Sequence, residues 1–153
     1  IRSSWMCIRG AMFFMARSRE DLVKWCLKKA EEYLQSAQEN IRGGRLFPAA
    51  EEIFRSVESS LEALLHNFGV RKIEYPGTRT KFTGRLALQF LIRDNLIRAG
   101  RVERAVYDKY LSLATELHMA GYQPSKTFSI DELKENLRFA EDLLTKAKSI
   151  AVR

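Results

Sequence analysis

Helix breakers are confined to a few places in this chain, and they limit what it can fold into. Apart from Gly10, every glycine and proline lies at 43–44, 48, 69, 76–77, 84, 100, 121 or 124. Between these points the apolar residues recur every three or four positions, which is the period of an amphipathic helix and not of a strand. Eight glycines and three prolines are also too few for an all-β domain of many short strands. The pattern therefore predicts an all-α protein.

The first two predicted helices along the chain have the clearest start and stop signals in the sequence. Ser18 and Asp21 mark the start of the first helix, and Gly43-Gly44 marks its end. The second helix has Pro48 near its first turn and stops at Gly69. We expect Glu51 and Glu52 to lie near the positive end of its dipole. Its apolar residues alternate gaps of three and four, as in the seam of a bundle, and they are Phe47, Ala50, Phe54, Val57, Leu61, Leu64 and Phe68.

Three further helices complete the prediction. The third is expected over 85–98, and Gly100 separates it from a fourth over 102–120 with Val106, Leu113, Ala114 and Leu117 inside. Ser129 and Glu132 form a capping box that opens the last helix. Its expected core positions are Leu133, Leu137, Ala140, Leu144, Ala147 and Ile150. We predict a four- to five-helix up-and-down bundle over residues 19–153.

Residues 1–18 differ from the rest of the chain. They hold three arginines and no acid, with an apolar patch over 11–16 that is too short to span a membrane. We expect a leader outside the core fold. An amphipathic arm that packs on a partner is the alternative. Cys7 and Cys26 form no Cys-x-x-Cys pair, so we expect reduced thiols in a cytoplasmic protein, with no metal site and no cofactor.

Positive charge is concentrated in the middle of the chain. The whole sequence has 26 Lys and Arg against 19 Asp and Glu, a net charge of +7, and ten of the basic residues lie between 71 and 109. The stretch 71–85 also carries two aromatic residues. Cations attract phosphates and aromatic rings stack on unpaired bases, so this stretch predicts an RNA or nucleotide site, with an ordinary solvated loop as the alternative. The predicted site residues are Arg71, Lys72, Tyr75, Arg79, Lys81, Phe82 and Arg85.

The chain resembles the HEPN domain family in three stretches. They are the alanine-containing run 30–34 with the Gly43-Gly44 turn, the run Glu58-x-x-Leu-x-Ala-Leu-Leu65, and Ala120-Gly121-Tyr122 before a capped last helix. The resemblance covers about residues 20–150 and implies a helical bundle that forms a homodimer. It also implies work on RNA or nucleotides, often beside a minimal nucleotidyltransferase in toxin–antitoxin pairs.

The chain lacks the ribonuclease motif that many members of the HEPN family carry. Many HEPN members are metal-independent ribonucleases with an arginine five to seven residues before a histidine. No arginine lies in that window before His66 or His118, which argues against catalysis. His118 and Tyr122 are the weak catalytic candidates, but Arg104 lies fourteen residues before His118, about 21 Å along one helix. A divergent ribonuclease toxin and a purely structural interaction bundle are the alternatives to RNA or nucleotide binding.

Overall fold

The computed structural model describes residues 18–70 and 85–151, and these residues contain five α-helices and no strand. The helices are α1 (Arg19–Arg42), α2 (Leu46–Asn67), α3 (Arg85–Ile92), α4 (Arg104–Ala120) and α5 (Ile130–Ala151). A π-helical turn, Arg93–Ile97, continues α3. The all-α prediction is confirmed. The predicted leader, 1–17, and most of the predicted basic stretch, 71–84, lie outside the described residues.

Helix α1 begins and ends where its sequence predicts. The backbone N–H of Asp21 donates to Ser18 Oγ at 3.1 Å, so Ser18 is the N-cap. Past the last turn, Gly44 takes φ of +72°, the left-handed conformation that glycine adopts without strain. The apolar residues at helical spacing are buried along the length of the helix, from Leu22 to Ile41.

Helix α2 is the central element, and it packs against α1, α4 and α5. It begins at Leu46, so the expectation that Glu51 and Glu52 lie at its positive end is wrong, since its first turn holds no acid. Glu52 instead accepts hydrogen bonds from Ser36 and Asn40 of α1. The buried hydroxyl of Ser56 also donates to the Ala30 carbonyl at 2.8 Å. These bonds hold α1 and α2 antiparallel.

The first turn of α2 departs from the predicted seam. Phe47 is 53% exposed, so its predicted burial is wrong. It lies at the end of the bundle, where the ring contacts Phe128 edge to face with centroids 5.7 Å apart. Heptad spacing identifies a face of a helix, but it does not reveal where along that face the neighbouring helices stop.

The direction of α3 breaks the strict alternation predicted for the bundle. Arg85 begins α3 beside Glu58 in the middle of α2, and Arg101, just past the π-helical turn, lies on Phe68 at the end of α2. Helix α3 therefore runs in the same direction as α2. After it, Gly100 takes φ of +71° and turns the chain back into α4.

The last two helices, α4 and α5, complete the bundle. In α4 the buried residues are Tyr107, Tyr110 and Leu113, whereas the predicted core residues Val106, Ala114 and Leu117 are only partly buried. The capping box of α5 is confirmed, because the Glu132 N–H donates to Ser129 Oγ at 3.1 Å and the Ser129 N–H to Glu132 Oε2 at 3.5 Å. Within residues 18–70 and 85–151, no helix is long and apolar enough to cross a membrane.

Candidate nucleic-acid interface

Most of the predicted RNA site lies outside the described residues. Arg71, Lys72, Tyr75, Arg79, Lys81 and Phe82 belong to 71–84, and only Arg85 is described. Arg85 Nε lies 3.5 Å from Glu58 Oε2, and its guanidinium lies 4.6 Å from the centroid of the Phe54 ring. The guanidinium therefore anchors α3 to α2 through an acid and an aromatic ring of the same chain.

The acid that holds Arg85 belongs to a partly buried polar cluster on the flank of α2. The Tyr110 hydroxyl donates to Glu58 Oε2 at 2.8 Å, and its ring is stacked on Phe54 at 5.5 Å. Burial, with a contribution from the Glu58 carboxylate, raises the pKa of Tyr110 far above its usual value, so it stays a protonated donor. Glu62 lies one turn after Glu58 on α2. Burial raises the pKa of its carboxyl, and the nearby Lys29 ammonium lowers that pKa by a smaller amount.

A second group of cations lies where α3 turns into α4. We call Arg93, Arg98, Arg101 and Arg104 the arginine corner. The sequence from 93 to 104 contains these four arginines and two acids. The π-helical turn positions the first two, since the Arg98 N–H donates to the Arg93 carbonyl at 2.9 Å, five residues back. Single π-helical turns inside helices often occur at functional sites.

The arginine corner is held by contacts that leave its charges accessible. Asp94 is shared between Arg93 at 2.9 Å and Arg98 at 3.3 Å, while the Arg93 guanidinium also lies over Phe90. Asp94 accepts a hydrogen bond from Arg93, which lowers the pKa of its carboxyl. The side chain of Arg98 is 68% exposed despite this ion pair. Two arginines that share one acid leave an excess of positive charge.

Arg101 and Arg104 extend the corner onto the start of α4. The Arg101 guanidinium lies 4.0 Å from the centroid of the Phe68 ring, which fixes its position without neutralising it. Arg104 Nε is 3.7 Å from Asp108 Oδ1, and its side chain is 74% exposed. The first turn of α4 contains no acid, and Glu103 makes no side-chain cap. The positive end of this helix adds to the field of the arginines, and the Glu103 carboxylate at the N-cap position offsets part of it.

The structure brings the two catalytic candidates together at the opposite end of α4. The rings of His118 and Tyr122 meet edge to face with centroids 5.0 Å apart, and both residues are exposed. Arg104 is at the start of the same continuous helix, so the predicted separation of about 21 Å holds. His118 therefore has a tyrosine beside it, but Arg104 of the same subunit cannot reach it.

An aromatic pocket lies next to Tyr122, and the sequence does not reveal it. We use the name aromatic pocket for the shallow depression of about 250 Å³ between Phe47 and residues 120–126. Tyr122 is 60% exposed on its rim, and Gln123 and Lys126 are also among the lining residues. Phe47 was expected in the core, so the only signal that could have indicated a surface role was its position one residue before Pro48 in the first helical turn.

The Archaeal PaREP1/PaREP8 family matches residues 26–144, which is 119 of the 153 residues. The chain belongs to the archaeal PaREP1/PaREP8 family. No curated protein and no solved structure matches it.

The PaREP1/PaREP8 match contains both surfaces described above. It runs from within α1 to within α5, and so includes the arginine corner and the aromatic pocket, whereas residues 1–17 precede it. Among the residues that the structure describes in this PaREP1/PaREP8 protein, no group of three or more His, Cys, Asp or Glu side chains is placed to hold a metal ion.

Proposed function

We propose that this PaREP1/PaREP8 family protein binds single-stranded RNA or a nucleotide by its phosphates, with the arginine corner as the binding surface. The observation that carries the proposal is the exposure of Arg98, Arg101 and Arg104 at one bend of the chain, with only part of their charge balanced by Asp94 and Asp108. Planar guanidinium groups suit phosphate oxygens because they donate two parallel hydrogen bonds.

Two further points support the same function. The basic residues of 71–84 lie between the end of α2 and the start of α3 in sequence, and α3 leads directly into the arginine corner. The resemblance to HEPN proteins, whose members work on RNA or nucleotides, points to the same ligand class. A homodimer, a nucleotidyltransferase partner and a toxin–antitoxin setting belong to the proposal through that resemblance. A cytoplasmic location belongs to it through the expected reduced thiols of Cys7 and Cys26. None of these is needed for phosphate binding.

The ribonuclease alternative has weaker support than binding. His118 and Tyr122 are in contact, but a cation is also required to stabilise the charge of a phosphorane. Arg104 is at the far end of α4, and Lys126, the cation near Tyr122, is already paired with Glu132 and placed over Phe128. A purely structural bundle would leave the exposed charge of the arginine corner unexplained. We therefore favour binding without cleavage.

The proposal predicts that Arg98→Ala/Arg104→Ala weakens RNA binding by about tenfold or more. Fluorescence anisotropy with a labelled single-stranded RNA measures this, repeated across salt concentrations. Each phosphate contact contributes about 0.7 to the slope of log affinity against log salt for single strands, so losing two contacts reduces the slope by about 1.4. Both side chains pair only with exposed acids, so the variant is expected to fold.

The matched control is Lys134→Ala/Arg138→Ala, which removes the same charge from the exposed face of α5. We expect its affinity and salt slope to stay within twofold of the wild type. An equal loss in both variants would show that net charge, and not the arginine corner, drives binding. Wild-type protein with no measurable affinity for RNA would overturn the proposed function.

A further inference from the structure

The end of the bundle that holds the aromatic pocket carries most of the large apolar side chains that are exposed in the described part of the chain. Three of the five large hydrophobic residues that are substantially exposed lie at this end of the bundle, namely Phe47, Tyr122 and Ile130. Exposing such side chains to water is unfavourable, and clusters of them commonly mark binding sites.

The ring contacts leave aromatic faces open. Phe47 meets Phe128 at an interplanar angle of 82°, and Tyr122 meets His118 at 63°. An edge-to-face contact covers at most one face of each ring, so Phe47 and Tyr122 both keep a face for another planar group. The exposed fractions of 53% and 60% agree with this geometry. Aromatic rings stack on nucleobases with little regard to sequence, because every base has a π face.

The size and the lining of the pocket select among ligands. A volume of about 250 Å³ is below the roughly 300–1,000 Å³ typical of sites for drug-sized molecules, so one ring system fits and a large ligand does not. Gln123 is among the residues that line the pocket, and a glutamine amide can both donate to and accept from the edge of a base. Lys126, placed over Phe128 and 4.0 Å from Glu132, supplies a cation at the wall.

We propose that the aromatic pocket binds one nucleobase, stacked against Phe47 and Tyr122 with its edge on Gln123. This inference rests on the proposed function, since it identifies where a base would be held when phosphates are bound elsewhere. Helix α4 separates the pocket from the arginine corner by about 25 Å, the length of its 17 residues. The two surfaces are therefore distinct and can be tested separately.

The test compares two labelled strands with the same number of phosphates, an oligoadenylate and an abasic strand, by fluorescence anisotropy on the full chain. We expect wild-type protein to prefer the oligoadenylate by about tenfold, because only that strand offers a base that can stack in the pocket. Phe47→Ala and Tyr122→Ala should abolish that preference, whereas Phe47→Tyr, which keeps the ring, should retain it. Trp25→Ala, at an exposed aromatic residue of α1, is the matched control and should change nothing.

The outcomes separate the two proposals. Equal affinity of wild type for both strands would overturn the base site and leave phosphate binding intact. Loss of affinity for both strands in Arg98→Ala/Arg104→Ala, with the preference retained, would support both. If neither strand binds, the proposed function fails. Titration with AMP followed by NMR then tests whether the aromatic pocket binds a base. Shifts of the Phe47 and Tyr122 ring signals would support it, and unchanged signals at millimolar AMP would overturn it.

Discussion

At the scale of single residues, Tyr110 shows how the bundle accommodates charge on its flank. The side chain is fully buried, and its hydroxyl donates to a carboxylate that also holds Arg85. Glu58 is only 15% exposed, so it depends on these two partners in place of water. Burial keeps Tyr110 protonated, and the hydrogen bond therefore persists across the neutral pH range.

Tyr110→Phe is expected to reduce the free energy of unfolding by about 1.5–3 kcal/mol, the range for a hydrogen bond to a charged group. Urea unfolding followed by circular dichroism measures it. Tyr107→Phe is the matched control, since that hydroxyl donates to the Gln89 carbonyl at a long 3.4 Å, and its cost should be below about 1 kcal/mol. Equal costs for the two variants would contradict the role of Glu58.

At the scale of elements, the turn between α3 and α4 sets the geometry of the arginine corner. The Gly100 N–H donates to the Ile97 carbonyl at 3.0 Å, and the Arg101 N–H donates to the Leu96 carbonyl at 2.8 Å. This closure requires the positive φ of Gly100, and it directs the next residues into α4. The turn thus brings arginines from the end of one helix and the start of the next to one bend of the chain.

Gly100→Ala tests this turn through the backbone alone. A Cβ at this position would meet nothing within 4 Å, so steric contact contributes nothing to the cost. The left-handed conformation is less favourable for alanine by about 1–2 kcal/mol, which is the expected loss of stability in thermal or urea unfolding. Gly100→Asn should lose less, because asparagine tolerates this conformation better. An alanine variant as stable as wild type would show that the turn adopts another conformation.

At the scale of the whole molecule, one helix separates the two proposed contact surfaces. Helix α4 begins at the arginine corner and ends beside the aromatic pocket, and α2 packs along it with Phe54 stacked on Tyr110 near the middle. Ion pairs such as Lys148 with Glu31 join α5 to α1 on another side. The core that maintains this separation is formed within the described residues.

A chain that begins at Ser18 should therefore fold as stably as the longer one. It keeps the N-cap of α1 and the whole span matched by the family, so its free energy of unfolding is expected within about 0.5 kcal/mol of the full chain. Chemical unfolding of both chains, followed by circular dichroism, is the measurement. A loss above about 1 kcal/mol would mean that residues 1–17 belong to the fold, contrary to the predicted leader.

Prediction from sequence succeeded where the signal is local. Caps at Ser18 and Ser129, the turn at Gly44 and the stripe of α1 depend on neighbours within a few residues, and all are present. Burial at helix ends depends on distant elements, so Phe47 was assigned to the core and the pocket beside it was missed. The arginine corner was visible only as a count of charges between 71 and 109.

By itself, the sequence determined that residues 18–70 and 85–151 form an all-α bundle, because the positions of the helix breakers and the period of the apolar residues favour helices there. Only the tertiary structure decided which side chains meet. It placed Arg85 on Glu58, gathered four arginines at one bend, and left Phe47 beside Tyr122 at the surface. The physical reason is range: caps and periodicity act within a few residues, whereas these contacts depend on how whole helices pack and where they end.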